Sequence, residues 1–257
     1  MNDLIQLNPS DLGLALGLIG AAIALSRFSK IELEGQLLIA AGRAILQLLV
    51  VGYVLALIFA LDNPLAVLGL LGIMIMIASI VAKNRINQKI KGLFPIVSSS
   101  LLISTFLTLS YVLALIIQPD RWYDPQYLIP LTGMILGNAM NSASLAGERL
   151  SSMIEQNRLS VETHLCLGAT PKQAISSYQK DAIRASLIPT LNQMMVVGLV
   201  SLPEMFTGQV LAGGDPLNAA SYQILILFMI AFTNLLTAII VTEGVYRRFF
   251  NPHAQLI

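Results

Sequence analysis

Polar and ionisable side chains inside long apolar stretches are the first candidates for chemistry in this sequence. Three groups occur, and their members are Arg43 with Gln47, Asn138 with Asn141 and Ser144, and Glu204 with Gln209. A charged side chain costs a few kcal/mol to place in a bilayer, so such residues mark substrate or ion pathways. We therefore predict a translocation path lined by Arg43, Gln47, Asn138, Asn141, Glu204 and Gln209.

Each of these groups also has a simpler interpretation. Arg43 lies close to one end of its apolar stretch, where a long side chain can reach water by snorkelling. Asn138 and its neighbours share a helical face with Gly133 and Gly137, and small residues at this spacing are typical of helix packing. Glu204 lies near the end of a stretch and can simply be hydrated. Both interpretations stay open for each group.

The sequence indicates neither a catalytic centre nor a bound cofactor. Cys166 is the only cysteine, which excludes an intrachain disulfide and a cysteine ligand pair. Several methionines fall in apolar stretches, where thioether sulfur suits Cu(I) but more commonly fills gaps in packing. We predict a protein that is not an enzyme and binds no cofactor, and we assign no metal ligands.

Composition indicates the elements that must position these residues. The chain has 257 residues, of which 56% are hydrophobic and 11% charged, and its mean hydropathy is +0.75. Soluble domains carry about 25% charged residues, so this chain is predicted to be an all-α, multi-pass membrane protein. Seven stretches have about the 20 apolar residues that a spanning helix needs. They are residues 11–27, 36–61, 64–82, 93–117, 127–146, 185–208 and 221–242.

The basic residues predict the orientation of these spans. Nearly all of the 15 Lys and Arg residues follow the first, third, fifth or seventh span. Since cytoplasmic loops carry the excess of Lys and Arg, the N-terminus is predicted outside and the C-terminus in the cytoplasm. We find no internal repeat or linker, so residues 1–257 are predicted to form one membrane domain. Pro203, which lacks a backbone donor, is predicted to kink the sixth span.

The polar interval at residues 148–184 separates the fifth and sixth spans on the predicted cytoplasmic side. Its pattern predicts a helix, a break at Gly168 and a second helix with Thr170 as its cap and Pro171 at its first position. An amphipathic connector on the membrane surface is one interpretation. A docking ledge for a soluble protein is the other. The chain has no G-x-x-x-x-G-K-[ST] loop, so any nucleotide hydrolysis must come from another polypeptide.

Four ordered motifs resemble one family. They are GNAMN at 137–141, LGATPKQA at 167–174, GLVSLPEMFTGQVLAG at 198–213 and DPLNAASYQI at 215–224. These motifs are similar to those of the FetB-like (YbbM-type) ABC transporter permeases, a family that includes a bacterial iron-export permease and plant aluminium-tolerance half-transporters. The resemblance runs from the second span to the end of the seventh. One departure is Glu204, because the family commonly has Gly after Leu202-Pro203.

The resemblance implies a permease subunit that pairs with a second copy and with a separate ATPase, which uses the ATP. It implies export of iron, another metal or a metal-linked solute across the plasma (bacterial inner) membrane. The interval 148–184 then becomes the coupling element. Its ATPase-coupling residues are predicted to be Glu162, Leu167, Gly168, Ala169 and Thr170.

Three other functions are compatible with parts of the sequence. An ion-coupled secondary transporter would need carboxylates near the middle of the membrane, whereas Glu148, Glu204 and Glu243 all fall toward span ends. Export of a sugar nucleotide by the same ABC machinery is a further alternative. A membrane scaffold or sensor is the last, and its polar interval would serve only as a partner site. No nucleic-acid partner is predicted.

Overall fold

The computed structural model describes residues 8–86, 90, 92–251 and 253–256, and the regular structure in this part of the chain is helical. Isolated bridges join Val197 to Ser201 and Phe250 to Leu256. The prediction of an all-α protein is confirmed. The helices are α1 Pro9–Phe28, α2 Glu34–Leu61, α3 Pro64–Arg85, α4 Leu93–Val112 with a π-helical extension Leu113–Ile117, α5 Pro125–Gln156, α6 Arg158–Cys166, α7 Pro171–Val196, α8 Glu204–Leu211 and α9 Pro216–Tyr246.

Several of these helices have the length and composition of membrane spans. Among the described residues, four are long and apolar enough, namely α2, α3, α4 with its extension and α9. Within α1, Gly13–Phe28 is a shorter apolar helix. α5 and α7 have 32 and 26 residues, which is long enough to cross a bilayer, but they carry more polar side chains. The chain is therefore a polytopic helical membrane protein.

The chain divides into two compact units. One is built from α1 and α2 together with Leu211–Gly213, and the other contains Pro64–Val210 and the chain from Gly214 onward. In the first unit α1 packs against α2. The turn between them is fixed by a hydrogen bond from the Leu33 N–H to the Ser26 hydroxyl, 3.1 Å long.

α5 is the central helix of the second unit and packs against α3, α7 and α9. Its buried face is made of small and aliphatic residues such as Ile135, Ala139 and Ala143, all fully buried. Small residues let neighbouring backbones approach closely. A Cβ added at Gly147 would lie 2.6 Å from the Cδ1 atom of Ile86 on the chain after α3, so any larger residue here would force the Ile86 side chain to shift.

The sixth predicted span differs from its prediction. α7 ends at Val196, residues 197–203 are not helical, and α8 begins only at Glu204. Gly198 takes φ +80°, and its N–H bonds to the Ser201 carbonyl instead of continuing the helix. The predicted kink at Pro203 is therefore wrong, because the helix is interrupted before it reaches this residue. Pro203 directly precedes α8, where a missing N–H removes no helical hydrogen bond.

Candidate functional site

One face of α5 is left uncovered by the rest of the second unit. Its side chains are exposed or half-buried and follow one another at intervals of three or four residues, so they form one stripe along the helix. We call this stripe the open face of α5. Its members are Gln126, Pro130, Met134, Asn138, Asn141, Leu145 and Glu148.

The asparagines of the open face are held by local hydrogen bonds. Asn138 donates through Nδ2 to the Met134 carbonyl at 2.9 Å. Asn141 accepts at Oδ1 from Nη1 of Arg85, at the end of α3, also at 2.9 Å. Ser144, predicted on the same face, is buried and donates to the Met140 carbonyl at 2.8 Å. The structure thus places Asn138 and Asn141 on one face as predicted, and their role in a path stays a prediction.

A cavity lies at each end of the open face. The cavity at the Glu148 end has a volume of about 250 Å³ and is lined by Arg85, Asn141, Ser144, Leu145 and Glu148. The cavity at the Gln126 end has about 340 Å³ and lies between α5, α8 and α9. Its lining consists of Gln126, Tyr127, Pro130, Leu131, Met134, Met205, Gln209, Asn218 and Tyr222. The two cavities therefore share one helix face.

The second cavity contains residues that the sequence reasoning missed. Gln209 was predicted and lines it, whereas Glu204 does not. Gln126 was missed, although its spacing of four residues to Pro130, Met134 and Asn138 continues the open face toward the start of α5. No sequence pattern pointed to Tyr222, because only the packing of α9 against α5 brings it to this cavity.

Arg43 and Gln47 lie in the first unit. They are four residues apart on α2, so they share one face of that helix, and both are exposed. Their predicted role in a translocation path stays a prediction.

The polar interval has the predicted shape of a helix, a glycine turn and a second helix. Gly168 takes φ +90°, a conformation that favours glycine. The Thr170 hydroxyl accepts from the Gln173 N–H at 3.3 Å, the Gln173 side chain accepts from the Thr170 N–H at 2.9 Å, and Pro171 follows the cap. The predicted break, cap and first residue of α7 are confirmed.

This element has an anchored side and an exposed side. Val161 of α6 and Ile175 of α7 are fully buried in the core of the second unit. On the other side, Leu159 is 78% exposed and Leu167 81% exposed. Glu162 forms an ion pair of 2.9 Å with Arg158 on the surface of α6. The element thus has exposed apolar side chains on one side and is anchored in the core by the other.

Polar contacts tie the start of α7 to the end of α9. Lys172 lies 3.4 Å from the Glu243 carboxylate, and the Gln179 amide donates to the Thr242 hydroxyl at 3.3 Å. Glu243 also accepts from Arg247 at 2.9 Å, and this hydrogen bond raises the pKa of Arg247 above its ordinary value. These contacts join the start of α7, just after the Gly168 turn, to the end of α9.

A polar seam deeper in the second unit was also missed. Ser104 and Thr237 hydroxyls are 2.6 Å apart, and those of Thr108 and Thr233 are 2.8 Å apart, so both pairs join α4 to α9. Asn234 donates to the Thr190 hydroxyl at 2.8 Å and so joins α9 to α7. Hydroxyl pairs of this kind hold membrane helices together.

Within the described residues, no group of three or more His, Cys, Asp or Glu side chains is placed to hold a metal ion. The polar atoms of the open face and its cavities are instead amides, phenols, hydroxyls and thioethers, with Arg85 and Glu148 at one end.

Comparison with known proteins gives several full-length relatives. A UPF0014 membrane protein of Synechocystis sp. is 65% identical over 99% of this chain and 98% of the relative. The probable iron export permease protein FetB of Escherichia coli K12 is 38% identical over 96% of this chain and 93% of its own. Protein ALUMINUM SENSITIVE 3 of Arabidopsis thaliana is 33% identical over 94% of this chain and 87% of its own.

No solved structure matches this chain. The family model described as "Uncharacterised protein family (UPF0014)" matches residues 9–250, nearly the whole sequence. The chain belongs to this family of membrane proteins, UPF0014.

Proposed function

We propose that this chain is the membrane-spanning permease subunit of an ABC transporter and that a separate ATPase subunit drives it. The observation that carries the proposal is the outward-facing Leu159 and Leu167 on an element whose other side is buried in the core. Exposed leucines on a polar, water-facing segment fit a protein partner. The chain itself carries no phosphate-binding loop.

The membrane arrangement in this proposal has seven crossings. α1, α5 and the pair α7 and α8 cross in addition to the four long apolar helices, with the N-terminus outside and the C-terminus in the cytoplasm. The segregation of Lys and Arg supports this orientation. Residues 148–184 are then the cytoplasmic coupling element of a single permease domain in the plasma membrane.

A second copy of this chain completes the path. The open face of α5 presents amides, and an exposed amide in a span is disfavoured against lipid. We place this face against the same face of a partner copy, so that Asn138 and Asn141 border a shared path with a cavity at each end. Self-complementary faces of this kind are the rule in two-fold dimers.

The cargo in this proposal is iron, another metal or a metal-linked solute, and the direction is export. The printed name of the Escherichia coli relative, a probable iron export permease, supports this choice. Deletion of the gene is expected to raise the cellular content of the cargo metal, measured element by element. An unchanged content of every metal would refute metal export while leaving the ATPase partnership open.

Association with an ATPase tests the proposal directly. The chain is copurified with a candidate ABC ATPase and ATP hydrolysis is measured in liposomes. Gly168→Pro, Glu162→Arg and Leu167→Asp are each expected to weaken association by about tenfold or more, equivalent to about 1.4 kcal/mol, with membrane insertion intact.

Leu217→Asp is the matched control. Leu217 is 79% exposed, almost the same as Leu167, but it lies at the start of α9, which the proposed orientation places outside. This variant is expected to bind the ATPase normally. Normal binding by all three coupling variants, or equal loss in the Leu217 control, would contradict a docking role for this element.

A further inference from the structure

Two oppositely charged side chains line the cavity at the Glu148 end of the open face. They are Arg85, at the end of α3, and Glu148 of α5, and the remaining lining consists of Asn141, Ser144 and Leu145. Both charged residues are exposed. They form no ion pair with each other within one chain. The cavity therefore holds two opposite charges that the single chain does not join.

Arg85 and Glu148 both keep the capacity for a partner of opposite charge. Nη1 of Arg85 donates to Oδ1 of Asn141 at 2.9 Å. This acceptor is a neutral amide, so it does not balance the positive charge of the guanidinium. The Glu148 carboxylate has neither a hydrogen bond nor an ion pair with any residue that the structure describes.

The two side chains start from similar levels of their helices. Ile86, the residue after Arg85, meets Gly147, the residue before Glu148. The end of α3 is therefore close to the level of Glu148, and the Arg85 guanidinium reaches back toward Asn141, which lies earlier on α5. Rotation of this long side chain would bring the guanidinium to the level of Glu148.

A two-fold dimer brings each level of one copy against the same level of the other. Two copies inserted in the same orientation are related by an axis along the membrane normal, so residues at one height face residues at that height. The open faces of α5 meet in the proposed dimer, and the present inference rests on that proposed function. Arg85 of each copy then faces Glu148 of the other, and the two-fold axis produces this contact twice.

We propose that Arg85 of one copy pairs with Glu148 of the second copy, and that the two symmetric ion pairs close the cytoplasmic end of the shared path in the resting dimer. Arg85 then has alternative acceptors, Asn141 of its own chain and Glu148 of the second copy. The ion pairs bridge the mouth of the path between the copies, whereas the bond to Asn141 does not. A guanidinium suits this role, since it can hold a carboxylate with two parallel N–H donors.

Disulfide formation between two differently tagged copies tests the contact. In a Cys166→Ser background, Arg85→Cys is introduced into one copy and Glu148→Cys into the other. Oxidation of native membranes is expected to give a covalent dimer that carries both tags. Lys83→Cys combined with Glu148→Cys is the control, because Lys83 is exposed two residues earlier on α3 and lies on another side of that helix. This control is expected to give no dimer with both tags.

Exchange of the two charges tests whether the contact closes the path. In the same background, a cysteine replacing Asn138 is labelled with a neutral, membrane-impermeant maleimide in inside-out vesicles without ATP. Arg85→Glu and Glu148→Arg each place like charges together and are expected to raise the labelling rate about tenfold. The double variant Arg85→Glu/Glu148→Arg restores opposite charges and is expected to return the rate to within about threefold of the original.

Glu148→Arg/Arg149→Glu is the matched control for this exchange. It has the same net charge as the double variant, but Arg149 does not line the cavity, so the labelling rate is expected to stay high. Tm in detergent is measured for every variant to show that the fold is intact. Unchanged labelling in the single variants, or a rate in the exchanged variant as high as in the single ones, would contradict the proposal.

The disulfide experiment separates this proposal from the dimer on which it rests. Asn141→Cys reports whether the open faces meet at all. A dimer through position 141 without a disulfide between positions 85 and 148 would overturn the ion pair and leave the shared path standing. Monomer in both experiments would overturn the ion pair and the shared path together.

Discussion

Both faces of α5 carry small and polar residues, but they differ in what covers them. On the buried face, Ser142 donates to the Asn234 carbonyl at 3.1 Å, and Gly147 meets Ile86. On the open face, Asn138 is half-buried and Asn141 is exposed, and at Gly137, which borders this face, an added Cβ would meet no atom within 4 Å. Small and polar residues within a span can therefore have either of two roles. They stabilise the monomer where the partner lies in the same chain, and they indicate a path or a second copy where it does not.

Substitutions at two glycines of α5, Gly147 and Gly137, are expected to show the largest difference in stability between the faces. Gly147→Val forces Ile86 and α5 apart and is expected to cost about 1–3 kcal/mol of unfolding free energy. Gly137→Val is expected to change it by less than about 0.5 kcal/mol, because the added side chain has space. Thermal unfolding of the monomer in detergent measures both. Equal losses in the two variants would break the distinction between a buried and an open face.

The asparagines of the open face are expected to affect transport and leave the fold intact. Replacing both Asn138 and Asn141 by Leu is expected to reduce transport about tenfold or more, equivalent to about 1.4 kcal/mol of activation free energy. Transport of the cargo metal is measured in vesicles, with expression level and Tm as controls. Ser142→Ala, on the buried face, is expected to retain transport. Normal transport in the double variant would place the path elsewhere.

The hydroxyl seam gives the smallest expected effect. Thr108→Val removes one pair with Thr233 and leaves the Ser104 and Thr237 pair in place. Interhelical hydrogen bonds in membranes contribute about 0.6 kcal/mol on average. We expect a Tm shift of that order and unchanged transport. Loss of transport without loss of Tm would mean that the seam takes part in the path and that a covered polar pair is not purely structural.

Much of the fold was predictable because its signals are local. The length of the apolar stretches predicted the long helices. The pattern of Gly168, Thr170 and Pro171 predicted the turn between α6 and α7, including its capping residue. The break at residues 197–203 was missed because the stretch is apolar except for Ser201, and its backbone signals, Gly198 and Pro203, fit a kink in a continuous helix as well as a break.

The sites were less predictable than the fold for a related reason. Asn138 and Asn141 share a face by helical spacing alone, so sequence found them. Gln223 and Asn234 lie in an apolar helix, and only tertiary packing shows that the Asn234 amide donates to Thr190 of α7 while the side-chain oxygens of both residues have no partner. The role of a polar residue in a membrane span therefore depends on the residues that pack against it.

Cysteine cross-linking in native membranes tests most directly whether two copies meet at the open face of α5. In a Cys166→Ser background, a single cysteine replaces Asn141, or replaces Leu107 on α4 as the control, since Leu107 is exposed on a different helix. Oxidation is expected to give a disulfide-linked dimer from Asn141→Cys and monomer from Leu107→Cys. Monomer at position 141, or a dimer from position 107 alone, would contradict a shared path at this face.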